Sequence, residues 1–208
     1  MTPPHTVTLA LTGASGMPYG LRLLESLLEA EVQVYLLYSQ AAQIVIKQEI
    51  GETWPSRAKE VETMLCERYS LTNNQLQVFG REEWFAPVAS GSNPADAMVI
   101  CPCTMGTLAA IATGMSDNLI ERAADVSIKE NRKLIIVPRE TPFSALHLEN
   151  MLKLARMGVC ILPANPGFYH HPESVGELVD FIVARVLDQL GVPHQLMARW
   201  GNTETNPY

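Results

Sequence analysis

Five short apolar runs constrain this chain more than any other feature. Val7–Thr12, Val32–Tyr38, Ala97–Cys101, Lys133–Val137 and Val159–Leu162 each read as a buried strand, and helical stretches separate them. Tyr19–Ala30 carries leucines on one side, and Ser174–Leu190 repeats apolar residues at a helical period. Shorter helices are expected over Ala41–Ile50, Trp54–Arg68, Gly106–Ala112, Leu119–Lys129 and Ser144–Met157. Strands apolar on both faces, alternating with amphipathic helices, require a parallel sheet covered on both sides. With 208 residues and 47% of them hydrophobic, one α/β domain accounts for the whole of 1–208, with a core over 6–192 and a tail over 193–208. Parallel sheets bind ligands beyond the carboxyl ends of their strands. Chemistry is therefore expected in the loops LTGASG, YSQAA, PCTMGT, PRETPFS and PANPGFYHH.

The first loop, TGASGMPYG, has the form of a nucleotide-binding turn. Glycines at 13, 16 and 20 would let the backbone approach a phosphate, and the following helix would offer unpaired N–H groups. The spacing is G-x-x-G-x-x-x-G rather than the dinucleotide G-x-G-x-x-G, and the second strand ends in Tyr38-Ser39 rather than an acid. Both departures argue against NAD. A tight strand–helix turn without a ligand is the plain alternative.

In CPCTMGT, Thr104 to Thr107 open a helix and offer hydroxyls and N–H groups to an anion. Cys101 and Cys103 lack a second pair at zinc-ligand spacing and read as buried thiols. Ser116 or Asp117 is expected to cap the next helix. Arg139-Glu140 follows a strand directly and projects at the ligand edge, whereas Arg122 and Lys129 fit a solvated helix face equally well. Taken alone, Arg185 and Glu49 read as surface charges. Phe168, Tyr169, His170 and His171 suit a substrate lid or a subunit contact.

The net charge of −7 disfavours nucleic acid and anionic membrane surfaces. No apolar run approaches the ~18 residues of a membrane span. Met1–Thr6 lacks the pattern of a signal peptide, and four cysteines suit a reducing cytoplasm.

Together, LTGASGMPYG, YSQAA, CPCTMGTLAAIATGMSDNLIERAADV, KLIIVPRETPFS and PANPGFYHHPES resemble the UbiX/Pad-type flavin prenyltransferase family over residues 6 to 192. The resemblance implies a flavodoxin-like (Rossmann-like) three-layer α/β/α sandwich, assembled as a dodecamer with sites at subunit junctions. It implies transfer of a dimethylallyl group from dimethylallyl monophosphate to N5 and C6 of reduced FMN. The prenylated FMN would serve a partner decarboxylase in ubiquinone biosynthesis or a related pathway. Carried over residue by residue, FMN would be held by Gly13, Ala14, Ser15, Ser39, Thr104, Met105, Gly106, Thr107, Arg122 and Arg139. The dimethylallyl phosphate would be held by Lys129, Arg139 and Glu140, with Tyr169 and Arg185 supplied by neighbouring subunits. Trp84 and Trp200 would line the prenyl pocket.

Ser15 and Glu49 resemble residues that handle protons. Burial would raise the Glu49 carboxyl and equip it to protonate the departing phosphate, and Glu140 or the phosphate itself would take the C6 proton. No two aspartates are adjacent, so the aspartate-rich magnesium motif of diphosphate-using prenyl transfer is missing and no metal is expected. Three other readings compete. An oxidative decarboxylase of cysteine-containing or pantothenoyl compounds would need a histidine in the first half of the chain, and none lies between His5 and His147. An FMN-dependent decarboxylase of aromatic acids is the second, and a non-catalytic FMN carrier the third.

Overall fold

The computed structural model describes residues 3–71 and 73–197. Its six strands form an all-parallel sheet: β1 (Thr6–Leu11), β2 (Gln33–Tyr38), β3 (Leu76–Phe79), β4 (Ala97–Cys103), β5 (Lys133–Pro138) and β6 (Cys160–Ile161), in the order β3-β2-β1-β4-β5-β6. The chain winds outward from β1 to β3, then crosses back to β4 and winds the other way. The crevice between β1 and β4 is therefore the topological switch point, where such sheets take ligands.

Strand periodicity sorts the core into two layers. Val7, Leu9 and Leu11 of β1, with Ala97, Val99 and Cys101 of β4, pack against α1 (Met17–Glu29), α2 (Gln40–Glu49), α3 (Ala58–Arg68) and α7 (Val175–Leu190). Ala10, Met98 and Ile100 face α4 (Met105–Thr113), α5 (Leu119–Lys129) and α6 (Ala145–Arg156). Cys103 breaks the rule. It stands two residues after Cys101 yet joins the opposite layer, because the β4–β5 register slips between Ile100 and Cys103. The two thiols thus point away from each other. Both are buried, and burial pushes both far above the ordinary thiol range. They are inert core residues rather than a ligand pair.

Two expectations need correction. Asn118, not Ser116 or Asp117, caps α5, accepting from Ile120 N at 3.1 Å and Glu121 N at 3.2 Å. β3 is an additional edge strand, with Leu76 and Val78 turned inward.

Gly20 serves packing rather than a phosphate. A Cβ there would lie 2.5 Å from the Cys101 carbonyl oxygen and 2.6 Å from Leu11 Cδ2. Its bare backbone lets α1 sit directly on β4. Gly20→Ala should lower stability by about 1–2 kcal/mol in urea titration, because the overpacking cost exceeds the helix-propensity gain of about 1 kcal/mol.

Candidate functional site

The switch-point crevice is built around Thr12, which follows β1 and is 1% exposed. Its hydroxyl donates to the Pro102 carbonyl at 2.9 Å and accepts from Thr104 N at 2.8 Å. One side chain therefore fixes the loop after β1 against the loop after β4. Thr104 then caps α4 by accepting from Thr107 N at 3.1 Å. Ser39 caps α2 by accepting from Ala42 N at 3.1 Å.

Between these loops lies a cavity of about 320 Å³ lined by Thr12, Gly13, Ser39, Thr104, Thr107 and Asn118, among others. The capping residues of α2, α4 and α5 all reach it, so three helix dipoles direct their positive ends there. Arg81 adds a cation to the same wall. Hydroxyls, helix amino ends and a guanidinium around one cavity suit the phosphate and polar edge of a mononucleotide such as FMN.

The amino end of α1 is not available in the same way. Glu49, the last residue of α2, crosses to it and accepts from Gly16 N at 2.9 Å and Met17 N at 2.8 Å. The chain's own carboxylate occupies the position that a pyrophosphate takes in dinucleotide-binding folds. This overturns the expectation that the glycine turn presents unpaired N–H groups to a phosphate. Burial does push the Glu49 carboxyl up. The Ser15 hydroxyl, the Gly16 and Met17 N–H groups and the Arg139 charge outweigh it, and the net shift is downward. Glu49 is a carboxylate at neutral pH. Burial therefore does not raise it on balance, contrary to the sequence expectation, and its Ser15 contact is to an ionised carboxylate.

The remaining predicted residues fall into separate groups. Ala14 is buried in the turn, and Met105 turns its side chain into the core beside Gly106 at the start of α4. Arg139 and Glu140 leave β5 at the carboxyl edge, and Arg139 N donates to the Cys103 carbonyl at 3.4 Å. Arg122 is held elsewhere: Nε donates to the Ala89 carbonyl at 3.0 Å and Nη1 to Asp125 at 2.9 Å.

Lys129 ends α5 and pairs with Glu130. It stands eleven positions after Asn118, a rise of about 16 Å toward the amino edge of the sheet. Tyr169 packs its ring 6.1 Å from Phe181 on α7, and Arg185 follows one turn later. Trp84 is 45% exposed on the segment after β3. Trp200 lies outside the described residues. The structure thus joins Gly13, Ser15, Ser39, Glu49, Thr104, Thr107 and Arg139 at one edge; Arg122 is engaged by Ala89 and Asp125, and neither it nor Lys129, Tyr169 or Arg185 lines the cavity.

Thr12, Arg81 and Asn118 escaped the sequence reading. Asn118 carried the ordinary signal of a cap before a helical run, and Thr12 that of a hydroxyl closing an apolar strand. Nothing in the residues around Arg81 points to it.

The sequence matches the Flavoprotein family over residues 1–187. It is 54% identical to the flavin prenyltransferase UbiX of Pseudomonas aeruginosa, covering 97% of this chain and 96% of that one. This chain belongs to the UbiX flavin prenyltransferase family. Two solved structures of UbiX type superpose closely. One, AnUbiX in complex with FMN and dimethylallyl pyrophosphate, matches with a TM-score of 0.83 at 37% identity, over 97% of this chain and 100% of its own. The other, a dodecameric FMN-dependent UbiX-like decarboxylase from Escherichia coli O157:H7, matches with a TM-score of 0.81 at 42% identity, over 94% of this chain and 98% of its own. UbiX-family membership agrees with the three-layer fold and with a cavity suited to FMN.

Proposed function

We propose that this chain is a flavin prenyltransferase that moves the dimethylallyl group of dimethylallyl monophosphate onto N5 and C6 of reduced FMN and releases phosphate. The reading is carried by 54% identity to a named flavin prenyltransferase along nearly the whole chain. The Ser15–Glu49–Arg139 cluster beside the mononucleotide cavity supports it. Reduced FMN supplies the two nucleophilic atoms.

The chain supplies the rest. Gly13, Ser39, Thr104 and Thr107 bind and orient the flavin, with Arg81 as an added cation. Arg139 holds phosphate at the end of β5, and charge-assisted hydrogen bonds of this kind strengthen as the leaving group gains charge. Ser15 and the Glu49 carboxylate take the proton that N5 loses as its bond to the allyl carbon forms and phosphate leaves; closing the second bond returns one proton to the central allyl carbon, while Glu140 or the released phosphate takes the proton from C6. Trp84 and Trp200 offer aromatic faces to a developing allyl cation.

Lys129, Tyr169 and Arg185 do not line the cavity of their own chain, which supports a site completed by neighbouring copies. Exposed Leu146, Leu148 and Leu152 on α6, with Phe168 and Val175, give such an assembly apolar contact surface. A dodecamer, as in the E. coli relative, is the proposed form. The proposed setting is the cytoplasm, where the four free thiols stay reduced. The prenylated flavin passes to a decarboxylase that uses it as cofactor.

The test is anaerobic incubation of the protein with reduced FMN and dimethylallyl monophosphate, followed by mass spectrometry of the extracted flavin. A five-carbon adduct and equimolar phosphate are expected. Unmodified flavin would overturn the reading: with CO₂ released from an aromatic acid it indicates a decarboxylase, and without turnover a carrier.

A further inference from the structure

Arg185 and Asp188 stand three residues apart on α7, with Arg185 Nη1 donating to Asp188 Oδ2 at 2.6 Å. Taken alone, this is an exposed i,i+3 pair of the kind that contributes little. The other carboxylate oxygen changes the picture. Asp188 Oδ1 lies 3.2 Å from His194 Nε2, and the His194 side chain is only 8% exposed. Leu196 N–H donates to His194 Nδ1 at 3.4 Å, which leaves Nε2 as the protonated nitrogen that donates to Asp188. The segment after α7 therefore anchors the histidine, the histidine anchors the carboxylate, and the carboxylate fixes the guanidinium. Each oxygen of Asp188 has one partner. A long arginine side chain otherwise samples many rotamers, and its fork is useful for phosphate only when its plane is set. Phe181, one turn before Arg185, carries the Tyr169 ring, so the same face of α7 presents both groups.

We propose that Asp188, itself held by His194, is a positioning residue that sets the Arg185 guanidinium for the phosphate of the prenyl donor. The inference rests on the proposed role of Arg185 in holding that phosphate. It also has a definite sign. A carboxylate that only neutralised Arg185 would compete with the phosphate, and its removal would improve capture. A carboxylate that orients Arg185 makes capture worse when it is lost.

The experiment compares Asp188→Asn, His194→Gln, Arg185→Ala and the Asp188→Asn/Arg185→Ala double variant as full chains with reduced FMN. Dimethylallyl monophosphate is varied, and FMN affinity is measured separately. Arg185→Ala should raise KM by at least about tenfold, the scale of one lost charge-assisted hydrogen bond. Asp188→Asn should raise KM about fivefold with kcat within about twofold and FMN affinity unchanged, because an amide cannot accept from both partners. His194→Gln should give a smaller rise in the same direction, and it serves as the readout if Asp188→Asn does not fold. The double variant should be no worse than Arg185→Ala, since the effect of Asp188 passes through Arg185. If Arg185→Ala raises KM while Asp188→Asn and His194→Gln leave it unchanged or lower it, the relay is overturned and the phosphate role stands. Additive losses in the double variant would likewise overturn it. An unchanged KM in Arg185→Ala would overturn the phosphate role of Arg185, and the relay with it.

Discussion

Thr12→Val is expected to destabilise the protein by about 2–3 kcal/mol and to weaken FMN binding about tenfold or more. Valine matches threonine in shape, so packing in this nearly inaccessible position is preserved. What disappears is a hydroxyl that donates to the Pro102 carbonyl and accepts from Thr104 N. The carbonyl keeps the Thr12 N–H at 3.2 Å, but the Thr104 N–H loses its acceptor. A part-buried donor left unpaired costs up to about 1–3 kcal/mol, and the lost hydroxyl bond adds to that. The loss falls on the residue that caps α4, so the amino end of α4 and the Thr107 hydroxyl lose their fixed position at the cavity. Urea denaturation measures the stability term, and fluorescence titration with FMN measures the binding term. Thr12→Ser is the control: it keeps the hydroxyl and should stay within about 1 kcal/mol of the parent. An unchanged FMN affinity in Thr12→Val would show that the two loops hold their relative position without this bridge.

Most of the sheet was legible because β1, β4 and β5 are buried on both faces and carry continuous apolar runs, and β2 and β6 carry such runs although they are only partly buried. β3 was not, because LQVF sits at the edge and buries only Leu76 and Val78. An edge strand needs no long apolar signature. The helix α5 was read to the residue, since its apolar stripe begins immediately after Asn118 and ends at a lysine. Local patterns could not reveal what long-range contacts decide. Gly20 looked like part of a phosphate loop, and its reason for being glycine is a strand 81 residues away, at Cys101. Glu49 looked like a surface charge at a helix end, and its partners are Gly16 and Met17, more than 30 residues earlier. The site residues drawn from the resemblance divide along the same line. Those on loops after β1, β2, β4 and β5 meet at one edge. Lys129, Tyr169 and Arg185 do not line the cavity, and the contribution from a second copy proposed above is something no periodicity within one chain can report.

Glu49→Gln is expected to lower kcat by about a hundredfold, the lower range for loss of a positioned acid or base, while FMN remains bound. The carboxylate accepts from two backbone N–H groups and from Ser15. Glutamine offers one oxygen and turns an NH₂ toward donors, so Ser15 loses the acceptor for its proton. The pH dependence separates this role from the opposite one. Relative to an ordinary carboxyl at 4.5, Glu49 is lowered in the folded protein. Its stabilising contribution is therefore complete above about pH 4.5 and lost as pH falls through the lowered value. As a proton acceptor, Glu49 stays competent from pH 8 down to pH 5, and kcat should show no acid limb from this group in that range. As a proton donor it would need a raised pKa, and kcat would fall as pH rises toward neutrality. Rate profiles from pH 5 to 8 for parent and Glu49→Gln distinguish the two. Acid unfolding supplies a second readout, because Glu49→Gln should flatten the loss of stability below pH 4.5. A parent kcat that declines between pH 5 and 7, with the decline removed in Glu49→Gln, would reverse the assignment and make Glu49 the acid.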